Sequence, residues 1–140
     1  MTLFRVQAEE LSIDECYRAV ESDEQGAVAL FVGRVRNHNQ GQVITLLEYE
    51  AYPSMAEKEM QLIADELAAS TAGIRLACSH RIGPLKVGDI AVVCAVSSAH
   101  RDQAFQVCRQ FIDALKARVP VWKREHGPGG PYWVGWQDAR

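Results

Sequence analysis

Long apolar runs are missing from this sequence of 140 residues. No stretch approaches the roughly 20 apolar residues that span a bilayer, so no membrane helix is expected. No basic segment leads into an apolar one at the N-terminus, so no signal peptide is expected either. Cysteine is scarce, and Cys16, Cys78, Cys94 and Cys108 form no Cys-x-x-Cys pair. Cys78, Cys94 and Cys108 sit among apolar neighbours, where a small core role is the expectation rather than a metal site or a redox pair. A cytoplasmic protein without metal or cofactor follows. A basic excess is also missing: the formal net charge is −3. No global field therefore draws the chain to nucleic acid or a membrane surface. P-loop, Ser-His-Asp order and zinc-ligand spacing are all absent. So are repeats, low-complexity tracts and any linker long enough to divide the chain, which points to one domain over residues 1–140.

What is present is enough to build a core. The 48% hydrophobic content, with 24% charged residues, lets a chain of this size fold without disulfide or metal staples. Phe4 and Val6 fit a short strand. Ser12, with Glu15 three residues on, forms a capping box that starts a helix running to about Glu21. Gly26 to Arg36 reads as a strand, Asn37 to Gln42 as a polar turn, and Val43 to Ala51 as a second strand. Pro53 opens a helix in which Ser54 and Glu57 repeat the capping-box pattern; Met60, Ile63, Ala64 and Leu67 mark its buried stripe, and Gly73 ends it. Ile74 to Ile82 and Ile90 to Ser97 are strands joined through Gly83, Pro84 and Gly88. The longest helix runs from about Ala99 to Arg118 on a stripe of Ala104, Cys108, Phe111, Ile112 and Leu115, and Pro120 cannot continue it. Val121-Trp122, a loop from Gly127 to Pro131 and a short strand around Trp133 complete the chain. Strands and helices mix without strict βα alternation, which predicts an α+β fold with largely antiparallel pairing.

Charge is unevenly spread. Glu9, Glu10, Asp14, Glu15, Glu21, Asp23 and Glu24 make the first 30 residues acidic, whereas Arg101, Arg109, Lys116, Arg118, Lys123 and Arg124 make 100–126 basic. A local basic cluster on an acidic chain suits a small anion better than a polymer, although two solvated helical faces would look the same. Four segments stand out. In Gly33-Arg34-Val35-Arg36-Asn37-His38-Asn39, alternation puts Arg34 and Arg36 on one face, opposite Val35. Guanidinium groups grip phosphate in a bidentate way, but a strand leaving the core for a solvated hairpin would also be basic. Ser97-Ser98-Ala99-His100-Arg101 lies at the start of the longest helix, where free N–H groups attract anions and where His and Arg oppose the dipole unless an anion is bound. Lys116 flanks the apolar stripe at the other end; it could equally snorkel and complement the dipole. Trp122-Lys123-Arg124-Glu125-His126 is either a binding rim or the edge of an amphipathic strand. Together these segments give an anion pocket with no Asp/Glu acid–base pair, so its chemistry would rest on lysine and imidazole.

Gly33-Arg34-Val35-Arg36-Asn37-His38-Asn39, His80-Arg81-Ile82-Gly83, Ser98-Ala99-His100-Arg101 and Leu115-Lys116-Ala117-Arg118-Val119-Pro120-Val121-Trp122-Lys123-Arg124-Glu125 stand in an order and spacing that resembles the molybdopterin synthase large-subunit family. The resemblance runs from about Gly26 to Trp133. It implies an α/β-hammerhead-like core with additional β structure. It implies a sulfurtransferase that converts cyclic pyranopterin monophosphate (precursor Z) to molybdopterin in molybdenum cofactor biosynthesis. The sulfurs would come from the thiocarboxylated C-terminal glycine of a small ubiquitin-like partner. A homodimer within a heterotetramer is implied as well. Residue by residue, the resemblance assigns Arg36, His100 and Arg101 to the substrate phosphate and pterin, and Arg34 and Val35 to the same binding segment. Lys116 would meet the partner's C-terminus as the main catalytic residue, with Lys123 as its assistant and Arg124 and Glu125 beside it.

The only Gly-Gly in the sequence, Gly129-Gly130, is internal, and the sequence ends Asp138-Ala139-Arg140. The chain is therefore expected not to be the thiocarboxylate carrier. Two other readings compete. A small phosphate-cleaving enzyme would turn over a generic acyl phosphate without a partner. A non-catalytic module for a ubiquitin-like protein would bind regardless of Lys116. Neither accounts for both lysine segments accompanying the His-Arg helix start.

Overall fold

The computed structural model describes residues 3–128 and 130–134. The expectations at Gly129 and at Asp138-Ala139-Arg140 lie outside the described residues. In chain order the elements are β1 (Leu3–Gln7), α1 (Ile13–Val20), β2 (Ala27–Arg34), β3 (His38–Asn39), β4 (Gln42–Val43), β5 (Leu46–Ala51), α2 (Pro53–Ser70), β6 (Arg75–Arg81), β7 (Gly83–Lys86), β8 (Ile90–Ser98), α3 (Arg101–Arg118), β9 (Val121–His126) and β10 (Tyr132–Val134).

Strand β8 is apolar almost without a break because both of its faces are covered. Its even-numbered residues Val92, Cys94 and Val96 join the core beneath α2 and α3, while Val93 and Ala95 join a second core beneath α1. Neighbouring β6 splits in the same way, Leu76 and Cys78 to one side and Ala77 to the other. The sheet order is β1-β6-β8-β2; β1 pairs with β6 in parallel and the other neighbours are antiparallel. All four cysteines are buried and free, and Cys78 faces Cys94 across β6 and β8.

The second sheet, β10-β9-β5-β7, is antiparallel throughout. A third core of Val35, Ile44, Leu47, Leu85 and Ala91 joins it to the end of β2. The mixed α+β class with largely antiparallel pairing is as the sequence predicts. The stripe expected on α3 is wholly buried, with Val107 added. On α2, Met60, Ile63 and Ala64 are buried and Leu67 is half-buried.

Several local expectations need correction. Strand β2 stops at Arg34, not Arg36, because the pairing with β8 slips at Gly33/Arg34. The polar turn holds a minimal hairpin, β3 with β4, so the following strand starts at Leu46 rather than Val43. Gly83-Pro84, read as a connection, belongs to β7, an edge strand, where proline removes no needed ladder bond. The first capping box is half formed: Ser12 Oγ accepts from the Glu15 N–H at 3.1 Å, but the Glu15 carboxylate turns to Arg5 at 2.5 Å. The second does not form. The N-cap of α2 is Tyr52, which makes no side-chain cap, and Glu57 instead accepts from the Val6 N–H at 2.8 Å, tying α2 to β1. Helix α3 begins at Arg101 with His100 as its N-cap, two residues later than the expected Ala99.

Phe111 anchors α3: it is fully buried and stacks on Phe4 with ring centroids 6.1 Å apart. Phe111→Ala is expected to lower the unfolding free energy by about 3–5 kcal/mol, the usual range for emptying an aromatic core site. Urea unfolding measures this; a loss below about 1 kcal/mol would mean that the helix is held elsewhere.

Candidate active site

A cavity of about 530 Å³ opens where the end of β2, the inner face of the second sheet and the last turns of α3 converge. The cations Arg34, Arg36, Lys116 and Lys123 share it with one carboxylate, Glu125, and much of the remaining wall is apolar, including Phe31, Leu47, Leu115 and Val121. Like charges gathered against apolar walls repel each other strongly, so the empty site favours an anion.

Local sequence explains how each group arrives. The slip in register after Gly33 turns the end of β2 so that Arg34 and Arg36 both reach the cavity while Val35 points into the third core. Gly33 leaves room there, since a Cβ would stand 2.6 Å from Val92 Cγ1. Arg34 Nε donates to the Gly88 carbonyl at 3.3 Å. Arg36 Nη2 donates to Asn39 Oδ1 at 3.5 Å, and Asn39 Nδ2 donates to Glu125 Oε2 at 2.8 Å. Lys123 Nζ lies 4.0 Å from the same Glu125 oxygen. On β9 the burial alternates, so Val121, Lys123 and Glu125 face inward. Tyr49 of β5 stands opposite Lys123 in the ladder.

The electrostatics follow from this crowding. Burial pushes the Lys123 ammonium below its usual pKa, Glu125 opposes the shift, and Arg36 and Lys116 add to it. His80 is pulled down to about 4, first by burial and then by Lys116, against a contribution from the Arg81 carbonyl. Tyr49 is pushed up to about 12 by burial and by Glu125, partly offset by Arg36. No carboxylate lies within salt-bridge distance of Lys116 among the described residues. The site can therefore hold an anion with arginines and offer a lysine whose amine is closer to neutrality than usual.

Of the residues singled out in the sequence, Arg34, Arg36, Lys116, Lys123 and Glu125 meet at this cavity. Val35 does not; it is buried beneath the wall. Arg124 does not, because strand alternation turns it to the outer face, where it lies 4.0 Å from Glu48. His100 and Arg101 are exposed at the start of α3. Helical rise puts them about 22 Å along the axis from Lys116, too far to reach the same cavity within one chain. Sequence reasoning passed over Tyr49, and named His80 only within the segment His80-Arg81-Ile82-Gly83, without a role. The available signal was a histidine closing an otherwise apolar strand segment.

Comparison with known proteins gives a consistent family. The family described as MoaE protein matches residues 6–118. The molybdopterin synthase catalytic subunit 1 of Mycobacterium tuberculosis is 44% identical over 131 residues, which cover 94% of this chain and 89% of that protein. The crystal structure of molybdopterin synthase from Staphylococcus aureus aligns with a TM-score of 0.92 at 39% identity, covering 96% of this chain and 98% of that one. A chain in the complex of subunits 1 and 2 of molybdopterin-converting factor from Helicobacter pylori aligns with a TM-score of 0.67 over 79% of this chain and 73% of that one; at 22% identity this shows likeness of fold alone.

The lowered pKa of His80 makes a prediction about stability. Between its ordinary value of 6.5 and about 4, the unfolded chain takes up a proton that the folded chain refuses. Stability is thus unaffected above that window and falls as pH drops through it, by up to about 3 kcal/mol from this residue. Unfolding of wild type and His80→Gln compared at about pH 7 and about pH 4 should show the steeper loss in wild type. Equal losses would mean that His80 protonates freely in the fold.

Proposed function

Because this chain belongs to the MoaE protein family, which contains the molybdopterin synthase catalytic subunits, we propose that it transfers sulfur to cyclic pyranopterin monophosphate to make molybdopterin. The observation that carries this reading is the convergence of both lysine segments with Arg34 and Arg36 on one cavity. The sulfur donor is the thiocarboxylate at the C-terminus of a small ubiquitin-like subunit. The reaction takes place in the cytoplasm, in keeping with the absence, among the described residues, of a helix long and apolar enough to cross a membrane.

On this reading the chemistry divides among the cations. Arg34 and Arg36 hold the substrate phosphate, since guanidinium stays charged and forms paired hydrogen bonds to phosphate oxygens. Lys116, with no carboxylate partner among the described residues, meets the thiocarboxylate as its sulfur attacks an electrophilic pterin carbon and displaces an oxygen substituent, which takes up a proton as it leaves. Water then cleaves the resulting acyl–sulfur bond, leaving sulfur on the pterin and a carboxylate on the carrier. Lys116 stabilises negative charge in both steps, and Lys123, already displaced toward its neutral form, relays protons. Glu125 and Asn39 hold Lys123 in place. His100 and Arg101 serve the site only from a second copy of the chain, because α3, an 18-residue helix that begins at Arg101 and carries Lys116 in its last turn, holds them apart. A homodimer, with a small subunit at each cavity, satisfies that geometry.

Single-turnover assay with precursor Z and thiocarboxylated small subunit, read as the fluorescent oxidised pterin, tests the lysine role. Lys116→Ala is expected to slow product formation by about 100-fold or more, the usual cost of losing a positioned acid or base. A near-normal yield would remove the assignment. Mixing Lys116→Ala with Arg101→Ala tests the shared site. Random reassociation should restore about a quarter of wild-type sites, because half of the dimers then carry one intact site. A mixture no more active than its parts would place Arg101 outside the site.

A further inference from the structure

His80 is a buried polar residue on the cavity wall to which the reaction described above gives no task. It is 5% exposed, in a strand where its ladder partners are Val6 and Val92. Its Nδ1 lies 2.8 Å from the Arg81 carbonyl oxygen. A carbonyl can only accept, so Nδ1 carries the hydrogen and Nε2 of the neutral ring is left with a lone pair. No hydrogen bond reaches Nε2 from any described residue, yet no fully buried polar side-chain atom is unpaired among them. Both statements hold together only if Nε2 touches open space, and the space beside His80 is the cavity. The ring is fixed in that pose by the edge of Tyr49, with centroids 5.1 Å apart.

Burial sets this lone pair apart from the rest of the wall. Arg34, Arg36, Lys116 and Lys123 offer donors only, and the other imidazole, His38, is exposed with its Nδ1 bonded to Asn37 Oδ1. Glu125, the one carboxylate, already receives Asn39 and faces Lys123. The geometry points to His80 as a ligand-binding residue whose Nε2 accepts a hydrogen bond from an N–H on the edge of the bound heterocycle. This rests on the substrate proposed above, a pterin whose ring carries such donors beside its phosphate. The division is chemical: the cations hold the anionic group, and the neutral imidazole selects a ring that presents a donor to it. A ring presenting an acceptor there would face a lone pair and lose affinity.

Two substitutions separate this role from a structural one. His80→Asn places an amide N–H where Nδ1 was, preserves the bond to the Arg81 carbonyl, and has nothing at the ε position. His80→Gln places an amide oxygen near the ε position and gives up the Arg81 bond. Binding of cyclic pyranopterin monophosphate and of inorganic phosphate to each is measured by calorimetry, with thermal midpoints alongside. The Asn variant is expected to melt at or above the Gln variant but to bind the pterin about 10- to 100-fold more weakly than wild type. Its phosphate affinity should be unchanged, and the Gln variant should stay within about 3-fold of wild type for the pterin. Undiminished pterin binding by the Asn variant would overturn the inference. If that variant does not fold, a folded Gln variant that binds the pterin more than about 10-fold weaker would overturn it as well. Wild type that binds phosphate but not the pterin would instead overturn the proposed substrate, and the inference with it.

Discussion

Two-sided burial of β8 is the constraint on which the rest of the molecule depends. A strand covered on both faces must be apolar along its length, and β8 meets that demand from Ala91 to Val96. Its neighbours are then free to be apolar in the middle and polar at one end. On the cavity side, β2 ends in Arg34, opposite Ile90, and β6 ends in His80, opposite Val92, followed by Arg81, all beside the first residues of β8. The cavity is the place where this layered packing stops and the second sheet begins. Two of its polar groups, Arg34 and His80, lie at the ends of strands whose interiors are fixed by the core, which holds them in defined positions without a dedicated scaffold.

The site itself is governed by like charge in a confined space. Four cations against one carboxylate would be untenable deep in a core, and the structure moderates the conflict in three ways. Arg34 and Arg36 keep their heads at the exposed rim. Glu125 is buried beside the most enclosed cation, Lys123, and is itself held by Asn39. The third moderation is protonic: Lys123 is displaced toward its neutral form, and His80 is kept neutral outright. An arriving anion relieves the remaining repulsion, so binding and proton affinity are coupled in this cavity.

Much of this was legible in the sequence, and the failures have physical causes. The stripes of α2 and α3 followed from helical spacing, and simple alternation put Arg34 and Arg36 together opposite Val35, although β2 itself ends at Arg34. The same period misjudged nothing on β9, but it was not applied there: Lys123 and Glu125 face the cavity, so Arg124 between them cannot. The second capping box failed because Glu57 found a better partner in the β1 backbone, a tertiary contact that local spacing does not encode. Strand β7 was hidden by Gly83-Pro84, whose turn character is overridden by pairing at a sheet edge. His80 stood in a quoted segment but received no role, because a lone histidine in a largely apolar strand reads as a core residue until the cavity beside it is seen.

The arginines and lysines of the cavity are not interchangeable, and that limits how the reaction can be run. A guanidinium does not lose its proton in a protein, so Arg34 and Arg36 can hold charge but cannot relay protons. On the proposed reaction, proton movement is required when water cleaves the acyl–sulfur bond, and that task suits a group whose pKa the cavity has lowered. Burial lowers the pKa of both Lys123 and His80, but His80 ends up too weak a base to keep a proton at neutral pH. Lys123 is therefore the group suited to the relay. His80, held neutral, is suited to the complementary task of accepting a hydrogen bond without adding a charge to a cavity that already carries an excess of positive ones.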